Sequence, residues 1–389
     1  MSLIDRFKAE IRQLEESRRL RCVDVATRPR PGTVSIRGRE FIDFTSWDIY
    51  GFAGNTRVQA ATRRVFDSDG AGSSASRAST GSTAQHVVCE EQLARYLGVE
   101  SSLLLSSLNQ AVLTLFSAIL EQHDVIIIDE LLQSPVIDAA LLAHAPTLTF
   151  RSDQPETLER VLGSTSTLGE RVVVSEGLSP ITGMLSDLRK IAQICTAAGA
   201  HLIVDESTAL GMVGERGAGA CEYFRLAGQV FCRFGDLSRT LHSYGGFVAG
   251  SALVCGYLLQ RSRSISVDPA LPALFAAAAN SAIEAIELAH LDRRMCIARA
   301  ERLHSTVRAL GLGTTAVVPA APLLMIRSND SRELHYALAE RGFLTELLIP
   351  SLPRESSSVR AIFSAQHSDA NIEMFQNALT AVARRVAAI

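Results

Sequence analysis

The chain has 389 residues, of which 47% are hydrophobic and 20% charged, so it can bury a large core and is expected to form more than one domain. Its formal net charge of −3 offers no basic surface for nucleic acid. No apolar run approaches the roughly 18 residues of a membrane-spanning helix, and residues 1–20 alternate charged with apolar side chains instead of forming a signal peptide. We therefore expect a cytoplasmic protein that neither binds nucleic acid nor spans a membrane.

The cysteine pattern indicates free thiols. Seven cysteines are scattered along the chain, with no pair at the two-residue spacing of a zinc or redox motif. An odd count without a disulfide framework is typical of a reducing compartment. We expect the cysteines to pack as small apolar side chains, and we expect no metal site.

Short apolar runs alternate with helical stretches through much of the chain. Runs of β-branched residues or leucine predict strands at residues 102–106, 125–129, 148–150, 171–174, 201–205 and 230–232. Several runs are apolar on both faces, which indicates a parallel sheet covered on each side by helices such as 113–121 and 188–198. The alternation predicts right-handed crossovers and an α/β architecture.

Three regions are expected along the chain. Residues 1–45 form an N-terminal arm, in which Pro29 and Pro31 prevent a continuous helix. Residues 46–280 form a large α/β domain. From residue 281 the pattern changes to one long, arginine-studded helix (281–310) and then to mixed strands and helices. This change predicts a smaller C-terminal α+β domain over residues 281–389.

The segment over residues 236–246 carries the most informative side chain, Arg239. It reads Asp-Leu-Ser-Arg-Thr-Leu-His-Ser-Tyr-Gly-Gly. It closely resembles the cofactor-lysine segment of the α-oxoamine synthases, which reads Ser-Lys-Ala, two residues, Ser, one residue and Gly-Gly. That family, which includes 8-amino-7-oxononanoate synthase, serine palmitoyltransferase and the aminoketone autoinducer synthases, uses pyridoxal phosphate to join an amino acid to an acyl thioester. In this chain an arginine stands where the family has its lysine.

Four other segments carry the same resemblance in the same order. They are residues 45–53 (Thr-Ser-Trp-Asp-Ile-Tyr-Gly-Phe-Ala), 76–86 (Ser-Arg-Ala-Ser-Thr-Gly-Ser-Thr-Ala-Gln-His), 204–211 (Val-Asp-Glu-Ser-Thr-Ala-Leu-Gly) and 359–360 (Val-Arg). Together they cover nearly the whole chain. The resemblance implies a fold-type I aminotransferase-like architecture, with a mostly parallel seven-stranded sheet covered by helices and a smaller C-terminal α+β domain.

The departures from the family pattern fall on contacts to the cofactor. Leu108 replaces the glycine of the phosphate-binding turn, Gln133 the histidine that stacks on the ring, and Thr208 the histidine that bonds the ring hydroxyl. At the lysine position of Arg239, a guanidinium stays protonated up to a pKa above roughly 12 and has no lone pair with which to form an imine. Asp205, which in the family pairs with the ring nitrogen, is retained. We therefore predict that pyridoxal phosphate does not bind covalently and that the chain uses no cofactor.

The resemblance and the residue chemistry together give the candidate site residues. Asp205 is expected to form a buried ion pair with Arg239, because an unpaired buried carboxylate is costly; the alternative is a structural cap of the following turn. His86 is the candidate general base, or else a half-buried histidine with satisfied hydrogen bonds. Arg77 and Arg360, together with Arg239, would hold anions, or else carry ordinary solvated charges. The other candidates for substrate binding are Ser107, Asn109, Gln133 and Thr208.

Two functions remain open. The first is an acyltransferase that moves an acyl group from a coenzyme A or carrier-protein thioester to an amine or similar nucleophile, without covalently bound pyridoxal phosphate. Because a thioester is already activated, such a site needs mainly orientation, a base and oxyanion stabilisation. The second is a non-catalytic subunit that partners a lysine-bearing homologue. The expected partners are acyl-CoA or an acyl carrier protein, and a second subunit in a homodimer or a heterodimer.

No other lysine is available to take the place of the family's lysine. Lys8 and Lys190 are the only lysines of the chain, and both lie in predicted surface helices.

Overall fold

The computed structural model describes residues 2–17, 20, 23–132, 135–314, 320–349 and 357–386, except the side chains of residues 384–386. The helices are α1 (Leu3–Glu16), α2 (Thr56–Asp69), α3 (Ala84–Leu97), α4 (Leu108–Ile119), α5 (Val136–Leu142), α6 (Glu156–Ser164), α7 (Leu188–Ala198), α8 (Ala220–Tyr223), α9 (Ala252–Arg261), α10 (Arg263–Val267), α11 (Ala273–Leu288), α12 (His290–Ala309), α13 (Ser331–Glu340) and α14 (Asp369–Val386). The strands are β1 (Ala26–Thr27), β2 (Thr33–Ile36), β3 (Arg39–Asp43), β4 (Ser101–Leu105), β5 (Val125–Asp129), β6 (Thr147–Phe150), β7 (Arg171–Glu176), β8 (His201–Asp205), β9 (Cys232–Asp236), β10 (Gly246–Gly250), β11 (Leu323–Ile326), β12 (Phe343–Leu344), β13 (Glu346–Leu348) and β14 (Ser358–Ile362).

A seven-stranded sheet forms the centre of the molecule. Its strand order is β4-β10-β9-β8-β7-β5-β6, and β10 runs antiparallel to both of its neighbours. The pairs from β9 through β6 are parallel. Helices connect successive parallel strands, as such strands require. The prediction of a mostly parallel seven-stranded sheet covered by helices is confirmed.

Both faces of this sheet are buried. Ile127, Val173 and Val204 pack in one apolar layer with residues of α7. Ile126 and Ile203 pack in the other layer with residues of α4 and α5. Side chains at alternate strand positions point to opposite faces, so a strand covered on both sides reads as a continuous apolar run.

Three predicted elements differ from the structure by more than two residues at a boundary. β9 begins at Cys232, where the apolar run was expected to end, because the ladder to β8 starts with Cys232 opposite Ile203. α4 begins earlier than expected because Ser107 caps it and accepts a hydrogen bond from Gln110 N at 3.0 Å. The single helix expected over residues 281–310 is two helices, α11 and α12, separated at Ala289.

The N-terminal arm and the C-terminal part share a second sheet. Its order is β1-β2-β3-β12, with β12 parallel to β3. A third, antiparallel sheet has the order β11-β14-β13. Phe44 packs in the core beside them, its ring centroid 4.4 Å from that of Phe375 and 5.6 Å from that of Phe363. The smaller C-terminal region therefore mixes strands and helices as expected. The boundaries at residues 45 and 280 stay predictions, and residue 280 lies inside α11.

None of the residues of α1 is buried, so this helix packs less tightly against the rest of the chain than the core helices do. Ser2 and Asp5 start it with a reciprocal capping box. Its exposed apolar side chains are Leu3, Ile4, Phe7, Ile11 and Leu14. Within the described part of the chain, no helix combines the length and the apolar character needed to cross a bilayer.

Candidate active site

Three buried carboxyl groups end adjacent strands at the carboxyl edge of the large sheet. Asp129 ends β5, Glu176 ends β7 and Asp205 ends β8, and Glu176 stands directly opposite Asp205 in the strand register. This edge of a parallel sheet is where α/β proteins place their ligands. Burial is the largest cause that raises the pKa of all three carboxyl groups, and it raises the pKa of Glu176 well above its ordinary value.

Two oxygen atoms of this group lack a hydrogen-bond partner among the described residues, namely Asp129 Oδ2 and Glu176 Oε1. The side chain of Ser179 bonds to Glu176, and the backbone N–H groups of Leu131 and Ser152 each donate to Asp129 Oδ1 at 3.3 Å. Burial with few donors favours the neutral form of a carboxyl group. The sheet edge therefore carries less negative charge than its acidic residues suggest.

Asp205 is held by the turn that follows its strand. Its Oδ1 accepts a hydrogen bond from Ser207 N at 2.8 Å, and the residue is 7% exposed. Burial raises the pKa of Asp205, whereas the bonds from Ser207 and the charge of Arg239 lower it. Asp205 therefore caps the turn that follows β8, which is the alternative to an ion pair with Arg239 that the sequence left open.

Arg239 does not form an ion pair with Asp205. Its Nη1 donates to Thr208 Oγ1, and the carboxylate with which it pairs is that of Asp236, with Nε 3.8 Å from Oδ2. The guanidinium lies on the indole of Trp47, its carbon 4.9 Å from the ring centroid. The predicted Asp205–Arg239 pair is therefore wrong, because a hydroxyl and an aromatic face hold the guanidinium instead.

Trp47 carries a second guanidinium. The Cζ of Arg360 lies 4.6 Å from the centroid of the same ring. Arg360 donates through Nη1 to Pro180 O at 2.6 Å and through Nη2 to Glu346, and its Nε has no partner among the described residues. Desolvation lowers the pKa of Arg360, and the charge of Glu346 opposes this shift. Two of the three arginines expected to hold anions, Arg239 and Arg360, thus share one aromatic ring.

Arg77, the third of these arginines, has a structural role. It holds Glu90 through two bonds of 2.7 and 3.1 Å, and it also donates to Ser82 Oγ and Leu104 O. Its side chain is 9% exposed. The hypothesis that Arg77 binds a substrate anion is not supported, because its donors already fasten the loop before α3 to α3 and β4.

His86 is fully buried, and both of its ring nitrogens are engaged. Nε2 donates to Leu271 O at 2.7 Å, and Nδ1 accepts from Thr83 N at 3.1 Å in the capping box of α3. Burial, and then the charge of Arg77, lower the pKa of His86. The structure therefore favours the satisfied histidine over the general base, since neither nitrogen is free to accept a substrate proton.

The first turn of α4 lies beside the segment that contains Arg239. A Cβ added to Gly246 would lie 2.5 Å from Ser107 O, so the start of β10 approaches this turn too closely for any side chain. Leu108 is half-buried and Asn109 is exposed. Gln133, the remaining substrate candidate, lies outside the described residues.

Trp47 and Glu176 are site residues that the sequence analysis did not select. Trp47 is the only tryptophan of the chain, and it lies in residues 45–53, one of the segments that carry the family resemblance. A single large aromatic side chain in such a segment was therefore the available signal. Glu176 follows an apolar run in the same way as Asp205, so its position as a strand-ending acid was the signal there.

Comparison with known proteins identifies the family and the fold of the chain. The family model for aminotransferase class I and II matches residues 39–379. The 8-amino-7-oxononanoate synthase of Methylococcus capsulatus is 32% identical over 95% of this chain and 96% of its own length, and that of Thioalkalivibrio sulfidiphilus is 31% identical over 88% of each. The structure of Sphingomonas wittichii serine palmitoyltransferase matches with a TM-score of 0.94 at 24% identity and covers 100% of both chains. A lysine-to-alanine variant of S. paucimobilis serine palmitoyltransferase, described with a bound PLP–myriocin aldimine, matches with a TM-score of 0.93 at 23% identity and covers 100% of both chains.

The chain therefore belongs to the aminotransferase class I and II family. Within that class it is a member of the α-oxoamine synthases, and the expected fold-type I architecture is confirmed. The prediction that the chain uses no cofactor is contradicted, because solved structures of the same fold are described with bound pyridoxal phosphate.

Proposed function

We propose that this chain is an acyltransferase of the α-oxoamine synthase type that binds pyridoxal phosphate without a covalent bond to a lysine. Its acyl donor is a thioester of coenzyme A or of a carrier protein, and its acceptor is an amine. When bound, the cofactor supplies an electron sink for the carbon next to the amine. The observation that carries the proposal is the buried carboxyl group of Asp205, which is not consumed by an ion pair with Arg239.

The residues at the sheet edge fit the two polar ends of the cofactor. Asp205 offers a buried carboxyl group to a ring nitrogen, and a charge-assisted hydrogen bond of this kind is stronger than a neutral one. α4 is a 12-residue helix whose N-terminal N–H groups suit a phosphate. The side chain of Leu108 leaves a phosphate less room to approach the backbone than a glycine would. The backbone N–H donors of this turn remain in place.

The chain supplies no amine at this site. The Nζ of Lys190 lies on α7, 2.6 Å from Glu156, and Lys8 lies on the exposed helix α1. Arg239 stands in the lysine position and cannot form an imine. The lysine-to-alanine serine palmitoyltransferase described with a bound PLP adduct supports the proposal that this fold retains such a ligand in a lysine variant.

Arg239 and Arg360 are the residues that we expect to orient anionic substrate groups. Both guanidinium groups contact Trp47, so the indole fixes two long side chains that would otherwise lose rotamer freedom on binding. A fixed guanidinium matches the planar geometry of a carboxylate. In this proposal the chain contributes substrate orientation and charge compensation.

Trp47 provides a direct assay because it is the only tryptophan. Pyridoxal phosphate should quench its fluorescence saturably, and Asp205→Asn should weaken this binding roughly tenfold or more, since the amide oxygen still accepts a hydrogen bond but lacks the charge that strengthens it. The control is Asp187→Asn, because Asp187 caps α7 and asparagine caps a helix equally well. Absence of quenching up to millimolar cofactor, or equal affinity in the wild type and Asp205→Asn, would refute the proposal.

A non-catalytic subunit is the second candidate, and the absence of a lysine from the described site favours it. Both candidates imply a dimer, because a 14-residue amphipathic helix such as α1 is marginal without a partner surface. Light scattering separates them. A dimer mass for the chain alone supports the homodimer, and a monomer that pairs only with a lysine-bearing homologue supports the subunit. A monomer under both conditions contradicts both candidates.

A further inference from the structure

We propose that Glu346 competes with ligand carboxylates for Arg360, so that the site takes a carboxylate ligand by exchanging it for Glu346. The inference rests on the proposed function in one respect, since it treats Arg239, Trp47 and Arg360 as part of the ligand site. It adds a residue, Glu346, that sets the affinity of Arg360 for a ligand carboxylate.

Arg360 already binds one carboxylate, but incompletely. Glu346 and Arg360 stand directly opposite each other on the antiparallel strands β13 and β14. Glu346 accepts from Nη2 of Arg360, while Nε, which lies on the same edge of the guanidinium, has no partner among the described residues. A guanidinium edge holds a carboxylate best through two parallel N–H bonds. A ligand carboxylate that used both nitrogens would therefore bind this edge better than Glu346 does.

The two partners differ sharply in burial. The side chain of Arg360 is 7% exposed, whereas that of Glu346 is 43% exposed. A half-exposed carboxylate can turn into water and regain its hydration, and a buried guanidinium cannot. When a second carboxylate arrives, Glu346 is consequently the group that leaves.

The pair between Arg77 and Glu90 shows what a permanent ion pair looks like in the same chain. It has two N–H···O bonds, and its side chains are 9% and 15% exposed. Glu90 is also fixed by a hydrogen bond from Leu104 N at 2.7 Å. Neither partner can leave without stranding a buried charge. In the Glu346–Arg360 pair the glutamate is much more exposed, at 43%, so its carboxylate can leave without becoming a buried unpaired charge.

The charges around Arg360 favour an incoming anion. Arg239 lies on the same Trp47 ring, and after desolvation its charge is a further cause that lowers the pKa of Arg360. Burial raises the pKa of Asp205 and of Glu176, and Asp236 approaches Arg239 only to 3.8 Å, so these carboxyl groups compensate the two guanidinium charges only in part. Departure of Glu346 would leave two cations on one indole, and a ligand carboxylate relieves their repulsion.

The test titrates acetate against chloride at constant ionic strength and follows the fluorescence of Trp47. Glu346→Gln should tighten acetate binding by roughly two- to fivefold, the range expected for loss of a half-exposed ion pair. Arg360→Gln should abolish the response. Glu156→Gln is the matched control, because it neutralises a glutamate paired with Lys190 on the surface, and it should bind acetate as the wild type does.

Weaker or unchanged acetate binding by Glu346→Gln overturns the proposal, since a purely structural partner would not oppose the ligand. Should Glu346→Gln fail to fold, Glu346→Asp keeps the charge and withdraws the carboxylate by one methylene group. Tighter acetate binding by that variant supports the exchange, and weaker or unchanged binding overturns it. Pyridoxal phosphate is absent from this titration, so failure of cofactor binding and failure of the exchange are separate results.

Discussion

Arg239 stacks on Trp47, with the guanidinium carbon 4.9 Å from the centroid of the indole ring. The contact joins two of the segments that carry the family resemblance, residues 45–53 and 236–246. The indole and Thr208 together hold the guanidinium without the help of Asp205. Arg239 has therefore not filled the sheet edge with an ion pair, and Asp205 keeps a carboxyl group that a ligand can use.

Arg239→Lys should allow pyridoxal phosphate to attach covalently. A lysine amine at this position loses part of its proton affinity on burial and gains the lone pair that a guanidinium lacks. After borohydride reduction, intact-mass analysis should show one added pyridoxyl group, and peptide mapping should assign it to residue 239. The wild type should carry none at that residue. An unmodified residue 239 in the variant would contradict the fit of the cofactor to this site.

Arg77→Gln should destabilise the fold by up to roughly 3 kcal/mol, because it leaves the carboxylate of Glu90, only 15% exposed, without its charged partner. Arg239→Gln should cost less than about 1 kcal/mol, since the guanidinium is partly exposed and its only ion-pair contact in the described structure is a 3.8 Å approach to Asp236. Urea unfolding at neutral pH measures both. Equal losses in the two variants would mean that Arg77 is not the structural arginine described above.

Glu176→Gln should flatten the dependence of stability on pH. Burial raises the pKa of Glu176 well above the ordinary value of 4.5, so the folded chain holds a proton that the unfolded chain releases. The free energy of unfolding consequently falls as the pH rises from about 4.5 towards the raised pKa. Glutamine keeps the shape and removes the titration. Urea midpoints at pH 5 and pH 8 should therefore differ less in the variant, and an unchanged difference would show that Glu176 is ionised in the folded chain.

His367 should contribute the opposite dependence on pH. Burial lowers its pKa from 6.5 to about 4, and its Nε2 donates to Asp43 O at 3.0 Å. The unfolded chain therefore binds more protons between pH 6.5 and 4, and stability falls as the pH is lowered through that window, by at most about 3 kcal/mol. His367→Gln should be less stable than the wild type at pH 7 but lose less stability at pH 5. Parallel losses in the two proteins would contradict the assignment.

The sheet was predictable because most of its strands are buried on both faces and so read as apolar runs. β9 was misplaced because its residues break that pattern. Arg233, the second residue of β9, is charged and buried, and it donates to Leu97 O at 2.9 Å. That acceptor lies at the end of α3, far away in the sequence. No local pattern around residue 233 indicates it.

The site was predictable as a set of positions but not as a set of contacts. The motifs located Asp205 and Arg239, and a carboxylate beside an arginine is a reasonable pair on chemical grounds. Which partner the guanidinium takes depends on the position of Trp47, which comes from a segment almost two hundred residues earlier in the numbering. His86 was misjudged for the same reason, because Leu271 O, which accepts its Nε2 proton, belongs to a distant loop.

A crystal structure of the chain soaked with pyridoxal phosphate tests the central claim most directly. The account predicts a cofactor with its ring nitrogen within about 2.7–2.9 Å of the Asp205 carboxyl group, its phosphate at the first turn of α4, and no covalent density to Arg239. A cofactor bound elsewhere on the chain, or a sheet edge that stays empty at saturating cofactor, would contradict it.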